Sequence, residues 1–326
     1  MFGVTIMYSI LKTFKPEIFQ GKYKSKNYFE GWYFKLADES EKNLFAIIPG
    51  ISYGQFKEDD HAFIQVLDST NCKTYYFKYD ISKFKYSTTD FSISIDDNTF
   101  DSGKIYLNLK QGEFRVQGML KFYDIIPFPK TIFNPGIMGP FSFVPFMECY
   151  HDIINIQHRI EGSLIIDDNK IDFTKGNGYI EKDWGKSFPE WWVWIQSNHF
   201  EQENISMMFS IAKIPWFNMH FTGFTSFLRI DKKLYRFATY TGAKIGHLEY
   251  KNGNINIMVS GNGYSMTISG KYNESGILKA PQNGLMYREI AESISSNVLV
   301  TLEDSKGNLI FSGSGKNAGM EIVGEW

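Results

Sequence analysis

The stretch EGWYFKL, residues 30–36, returns as EWWVWIQ, residues 190–196, 160 positions further along the chain. The text after each copy continues to correspond. LFAIIPGI (44–51) answers to MMFSIAKI (207–214), and HAFIQVLDSTNCKTYYFKYDI (61–81) answers to FTSFLRIDKKLYRFATYTG (224–242). GSLIIDDNKIDFTKGNGYIEKDW (162–184) likewise answers to VTLEDSKGNLIFSGSGKNAGMEIVGEW (300–326). A chain that contains itself twice implies one structural unit used twice. Each unit then opens on an aromatic strand and closes on a glycine-rich segment leading to an acid and a tryptophan, at Trp184 and Trp326.

Between these landmarks run short segments rich in Ile, Val, Phe, Tyr and Thr, bounded by turn residues: KTYYFKYDI, FSISIDD, GKIYLNL, EFRVQGMLKFY, INIMVSGN, YSMTISGKY and NVLVTLED. That spacing predicts an all-β chain. Two β-rich halves, residues 1–186 and 187–326, suit antiparallel barrels of about eight strands each, a size that holds one small ligand. The one stretch with helical periodicity is LMYREIAESISS, residues 285–296. Pro127, Pro129, Pro135, Pro140 and Pro145 make residues 125–147 a non-regular loop, and its apolar composition predicts that it packs over something, near a cavity.

With 326 residues, 43% of them hydrophobic, the chain has ample material for buried cores. A formal net charge of -2 supplies no basic field for phosphates, so nucleic acid is not an expected partner. Cys72 and Cys149 are too few for a disulfide framework or a four-thiolate metal site, which points to a reducing cytoplasm, although one bridge between them stays open. The apolar N-terminal FGVTIMYSIL lacks a basic segment before it and a small-residue cleavage site after it, and with KTFKP following immediately it reads as neither a signal peptide nor a membrane span. No transit peptide precedes the Lys-, Asn- and Ile-rich chain, which reads as bacterial.

The junction of the halves is GNGYIEKDWGKSFPEWW, residues 176–192. On an extended strand Tyr179, Glu181 and Asp183 share one face, with Ile180, Lys182 and Trp184 on the other. Neighbouring carboxylates in a partly desolvated place raise one pKa, which keeps a proton available for general acid work. We expect the pair to retain one proton above about pH 5.5. The plainer alternative is that Lys182, Lys186 or an arginine pairs with these acids as a structural clasp. Upstream, MECYHDIINIQHRIEGSL (147–164) offers Glu148, His151 and His158. A spacing of seven puts the two histidines on opposite strand faces, which argues against a shared metal. His158 falls with Ile154, Ile156 and Ile160 and reads as a hydrogen-bonded core residue, whereas His151, where loop meets strand, is the better candidate for proton transfer. Trp32, Trp184, Trp191, Trp192 and Trp194 are each core candidates, and together they suit the wall of a cavity for a prenyl chain or ring, with Trp32 and Trp192 beside the acids. No phosphate loop, HExxH, CxxC or GxSxG signature is present.

Three blocks, NYFEGWYFKL (27–36), GPFSFVPFMECYHDIINIQHRIEGSL (139–164) and GNGYIEKDWGKSFPEWWVWIQSNHF (176–200), resemble the tocopherol cyclase family of plants and cyanobacteria. GYIEKDWG is also similar to the tandem lipocalin-like superfamily that contains carotenoid 1,2-hydratases. The resemblance implies two tandem lipocalin-like (calycin) barrels related by duplication, and chemistry without a cofactor or metal. A prenyl double bond is protonated, and an internal phenol oxygen or water captures the cation. Carried over by position, Glu181 is the first acid of the pattern, Asp183 the second and Tyr179 the leading aromatic; with His151 from the residues' own reading, Glu181 and Asp183 are the catalytic candidates. Tyr179, Trp32, Trp184, Trp192, Glu148 and His158 are the substrate-binding ones.

Two functions are open on the sequence. The first is a tocopherol cyclase-like cyclase or hydratase acting on a hydrophobic prenylated phenol, quinol or isoprenoid. The second is a lipocalin-like carrier or sensor of a hydrophobic metabolite, without catalysis. Both imply a hydrophobic small-molecule partner and are compatible with transient membrane contact. A purely structural protein would instead fill both barrels with its own side chains.

Overall fold

A computed structural model describes residues 12–216 and 219–325. FGVTIMYSIL and Trp326 therefore lie outside the described residues. Among those described, no helix is long and apolar enough to cross a membrane.

The first half of the chain supplies β1 (Tyr28–Ala37), β2 (Leu44–Tyr53), β3 (His61–Asp68), β4 (Lys73–Asp80), β5 (Phe84–Tyr86) and β6 (Ser92–Ile95). It continues with β7 (Asn98–Asp101), β8 (Lys104–Gln111), β9 (Phe114–Pro127), β10 (Cys149–Ile166), β11 (Asn169–Asp172) and β12 (Asn177–Gly185). They form one antiparallel sheet in the order β4-β3-β2-β1-β12-β10-β9-β8-β7-β6-β5, with β11 on β10. Strand β4 comes round to β8, so the sheet curls into a barrel.

The second half supplies β13 (Trp192–Ser197), β14 (His199–Phe200), β15 (Ile205–Trp216), β16 (Met219–Ile230), β17 (Lys233–Ala238) and β18 (Lys244–Lys251). After these come β19 (Asn254–Gly261), β20 (Tyr264–Lys271), β21 (Gly276–Gln282), β22 (Leu285–Asp304) and β23 (Leu309–Val323). Their order, β17-β16-β15-β13-β23-β22-β20-β19-β18, repeats the logic of the first sheet: the opening strand lies between an early strand, here β15, and the last one, β23. The fold is all-β, two tandem lipocalin-like barrels related by internal duplication.

Alternation of side chains explains the strands. In β19, Ile255, Ile257 and Val259 are buried, while Asn254, Met258 and Ser260 face water. Asn252-Gly253, Asn262-Gly263 and Asn283-Gly284 all have positive φ at both residues, the signature of tight hairpin turns. The last of these turns corrects the helix expected at residues 285–296. The chain reverses at Asn283-Gly284 and β22 then pairs with β21 and β23. Register shifts at Ser293, Ser296 and Val298 break its period of two, and the irregular spacing of Ile290, Ile294 and Val298 imitates a helical one.

The duplication also carries a one-residue correction. In β1 the inward residues are Trp32, Phe34 and Leu36, whereas in β13 they are Val193 and Ile195. Aligning Trp32 with Trp192 therefore sets an inward residue against an outward one. A slip of one residue in a period of two reverses every side chain.

By contacts the chain divides into one unit running to Phe188 together with Leu278–Glu289, and a second of Pro189–Ile277 with Ile290 onward. The hairpin tip in the first unit is tied by Gln65, whose side chain both donates to the Lys279 carbonyl (2.9 Å) and accepts from the Lys279 amide (2.8 Å). Ser52 Oγ donates to the Gly284 carbonyl at 2.6 Å. Cys72 and Cys149 are free thiols, which closes the question of a bridge.

The first barrel's interior is aromatic. Trp32 stacks on Phe91 (5.9 Å, 8° between planes), near Phe34, Phe100 and Phe122. The segment before β1 enters this core through Phe19. Its carbonyls meet a buried charge: Lys182 Nζ donates to Pro16 O (2.7 Å) and Ile18 O (2.6 Å) and pairs with Glu30 Oε1 at 2.5 Å. Both side chains of that pair are fully buried.

His158 lies in the same interior, over Gly178, where a Cβ would come within 2.1 Å of its Nε2. It packs against Phe122 at 4.1 Å, and neither ring nitrogen has a hydrogen-bond partner among the described residues. The hydrogen bond expected for it is therefore missing, and burial pushes its pKa down to about 3. A buried unsatisfied nitrogen costs about 1–3 kcal/mol. His158→Phe, similar in shape, is expected to stabilise the protein by that order in urea denaturation at pH 7. The wild type charges His158 on unfolding but not when folded, so its stability falls as pH drops below about 6.5. The variant lacks this loss, and the gap between the two should widen at pH 5; a constant gap would show that the ring is protonated in the fold.

Candidate functional site

The site forms where three neighbouring strands cross one level of the first sheet. Pairing sets His151 opposite Asp183 and Ile153 opposite Glu181 on β10 and β12. On β1, Tyr33 is opposite Glu181. These side chains share the face of the sheet turned away from the barrel interior, because the alternate residues Ile180 and Trp184 pack inward. The face is not open to bulk water: Tyr179 is 0% and Glu181 5% exposed.

His151 holds the group together. Its Nδ1 lies 3.0 Å from Asp183 Oδ1, and its Nε2 lies 3.9 Å from Glu181 Oε2. Tyr179 Oη donates to the same Glu181 oxygen at 2.6 Å. The His151 Nε2 has no hydrogen-bond partner among the described residues. Burial opposes its charge, but the Asp183 and Glu181 carboxylates, with the Asp183 hydrogen bond, outweigh that and raise its pKa to about 9. The available proton thus rests on His151. Burial and Glu181 push the Tyr179 pKa well up, so its hydroxyl stays neutral. The proline-rich loop crosses here as well: Met138 Sδ accepts the His151 amide (3.2 Å), and the Ile137 amide donates to Asp152 Oδ1 (3.0 Å). Asp152 is buried, and that burial raises its pKa to about 6.

Of the residues singled out on the sequence, His151, Tyr179, Glu181 and Asp183 come together. Lys182 does not clasp the acids, since it faces inward to Glu30 with Trp32 (4.5 Å) and Trp184 (5.0 Å) around its ammonium. Trp32 is therefore not beside the acids; strand alternation brings Tyr33 there instead. Trp184 stacks on Tyr150 at 5.4 Å, and Trp32 Nε1 donates to the Glu17 carbonyl at 2.8 Å. Glu148 stays out of the cluster and uses its backbone carbonyl to accept the Lys186 amide (2.7 Å). Trp192 belongs to the second unit, where its Nε1 donates to Glu321 Oε2 at 2.5 Å. Half-buried Glu321 pairs in register with fully buried Glu292, a second pair of neighbouring acids that the sequence reading missed. The signal for Tyr33 was hidden because both faces of β1 are apolar and buried, so neither is marked as inward. The ligand atoms of His151, Glu181 and Asp183 lie within 4.8 Å of one another, making them also the set that would gather a metal ion. Three such ligands fall one short of the four that close a structural site.

Fold and site together define a tandem β-barrel protein whose first barrel carries a water-shielded acid and imidazole cluster on its outer face. The chain belongs to the tocopherol cyclase-like family, whose sequence profile matches residues 125–324. That span contains His151, Tyr179, Glu181 and Asp183 but not Tyr33.

Solved structures of similar fold include CghA in its crystal structure with Sch210972, at a TM-score of 0.58 and 10% identity over 91% of this chain and 89% of that one. A putative AttH from Nitrosomonas europaea gives 0.53 and 14% over 92% and 93%. Kievitone hydratase from Nectria haematococca gives 0.50 and 11% over 95% and 94%. At such identities the likeness is one of fold. Comparison with curated protein sequences returned no match.

Proposed function

We propose that this protein is a cofactor-free proton-transfer enzyme that closes a ring, or adds water, at a prenyl double bond of a hydrophobic substrate. The observation that carries the reading is His151, held as an imidazolium between two carboxylates with its Nε2 unpartnered and the side chain 17% exposed. An imidazolium with a pKa near 9 is too weak an acid to protonate an alkene carbon, whereas a carboxylic acid is stronger by several orders of magnitude. Glu181 is accordingly the donor, charged from His151 Nε2. Asp183 holds the ring in place. The proton goes to carbon, the resulting cation is captured by a phenol oxygen or by water, and that oxygen returns a proton to the cluster. No electron is gained or lost, and the cluster ends as it began.

Kievitone hydratase, by its name, adds water to its substrate, which supports the hydration branch for this fold. A carrier would hold its ligand inside a barrel, but Trp32, Phe34, Phe91, Phe100 and Phe122 occupy the interior of the first one. The test is incubation with a prenylated hydroquinone in deuterated water. Deuterium on a carbon of the former double bond, in a cyclic ether or a tertiary alcohol, is expected. Substrate recovered unchanged from a panel of prenylated phenols and quinols would sink the reading.

A further inference from the structure

The proline-rich loop does not bury itself as its composition predicts. Phe128, Ile137 and Met147 pack inward, but Ile132 is 75%, Phe133 79%, Phe143 48% and Phe146 96% exposed. Their presentation is built. Thr131 and Asn134 close a tight turn with two reciprocal backbone hydrogen bonds (2.8 and 3.1 Å), which puts Ile132 and Phe133 at its two corners. Turn corners ordinarily carry Gly, Pro, Asn, Asp or Ser. Phe146 sits at φ +63, a left-handed conformation rare for a bulky side chain and costly to hold. Tyr150 fixes it there: its hydroxyl donates to the Val144 carbonyl (2.7 Å) and accepts the Met147 amide (3.3 Å).

We infer that this loop is a lipid-docking element, inserting Ile132, Phe133 and Phe146 into the apolar layer of a membrane surface. Between Ile125 and Met147 the one charged residue is Lys130, and Glu17 neutralises it at 2.8 Å. Docking therefore runs on apolar burial and does not require anionic headgroups. The side chains protrude singly from two turns, which suits a fluid apolar layer; a protein partner would need a matched pocket for each. The loop also meets the candidate site, since Met138 accepts the His151 amide and Tyr150 adjoins His151. A docked loop would bring that site to the layer in which prenyl compounds dissolve. The inference stands on exposure and geometry and holds whether or not the cluster is catalytic.

The experiment is co-sedimentation of the full chain with phosphatidylcholine vesicles, with and without phosphatidylglycerol. Wild type is expected to pellet with both, with little effect of added salt. Phe133→Ser and Phe146→Gly should each weaken partitioning by roughly tenfold, the scale of burying one aromatic side chain. Glycine accommodates positive φ, so Phe146→Gly should melt at or above the wild-type temperature, separating loss of docking from loss of fold. Leu309→Ser, at a site 61% exposed in the second unit, should pellet as wild type does. Failure of wild type to pellet, pelleting on anionic vesicles alone, or Phe variants that pellet normally would each overturn the inference. So would lipid-free self-association that Phe146→Gly abolishes, which would assign the loop to a second copy of the chain.

Discussion

Glu181→Gln is expected to lower kcat by about 10²- to 10⁴-fold, the contribution of a positioned general acid. Gln keeps the shape and still accepts the Tyr179 hydroxyl, which donates to Glu181 at 2.6 Å, so folding should survive. What disappears is the carboxyl that lies 3.9 Å from His151 Nε2, while Asp183 stays on Nδ1. His151→Gln provides the contrast. It removes the proton store but leaves Glu181 open to protonation from solvent, so turnover should fall at neutral pH and recover as the solution is acidified. The variants also differ in stability. A histidine raised from about 6.5 to about 9 on folding contributes stability that is fully present below 6.5 and is lost as pH rises through 9. Wild type should weaken over that window and His151→Gln should not. Equal turnover in Glu181→Gln and wild type would remove Glu181 from the mechanism.

Lys182→Met should destabilise the protein by about 3–5 kcal/mol, the cost of leaving one member of a buried ion pair uncompensated. Glu30 would lose its 2.5 Å partner and keep only the Tyr28 hydroxyl (2.6 Å) and the Gln20 amide (2.8 Å). The carbonyls of Pro16 and Ile18 would lose the ammonium and keep the Gln20 side-chain amide (3.4 and 3.1 Å), and the segment before β1 should loosen from the barrel. Urea denaturation measures the first effect. Faster amide exchange at Phe19 and Gln20 reports the second. The double variant Glu30→Met/Lys182→Met removes both charges together and should recover much of the loss; a double variant as weak as the single one would place the cost in packing instead.

Much of this protein was legible without coordinates. Alternation in segments such as INIMVSG and the turn residues between them determine strands, because a strand buried on one side must repeat every two residues. The near-repeat of an aromatic opening strand and a glycine-rich closing strand determines two sheets of one order. Tyr179, Glu181 and Asp183 were certain to share a face once β12 was extended, since alternation is a local property of the chain. What sequence could not determine was which face that is. In YFEGWYFKLA and NGYIEKDWG both faces are nearly buried, so hydrophobicity does not mark the inside, and Trp32 and Tyr33 are equally plausible neighbours for Glu181. Only the register of β1 against β12 selects Tyr33, and only pairing with β10 brings His151, 32 residues away in sequence, to 3.0 Å from Asp183. The same register sends Lys182 inward to Glu30, so that the acids face a histidine and not that lysine. These choices depend on contacts between distant segments, whose energies are set by mutual burial and charge, and no local pattern encodes them.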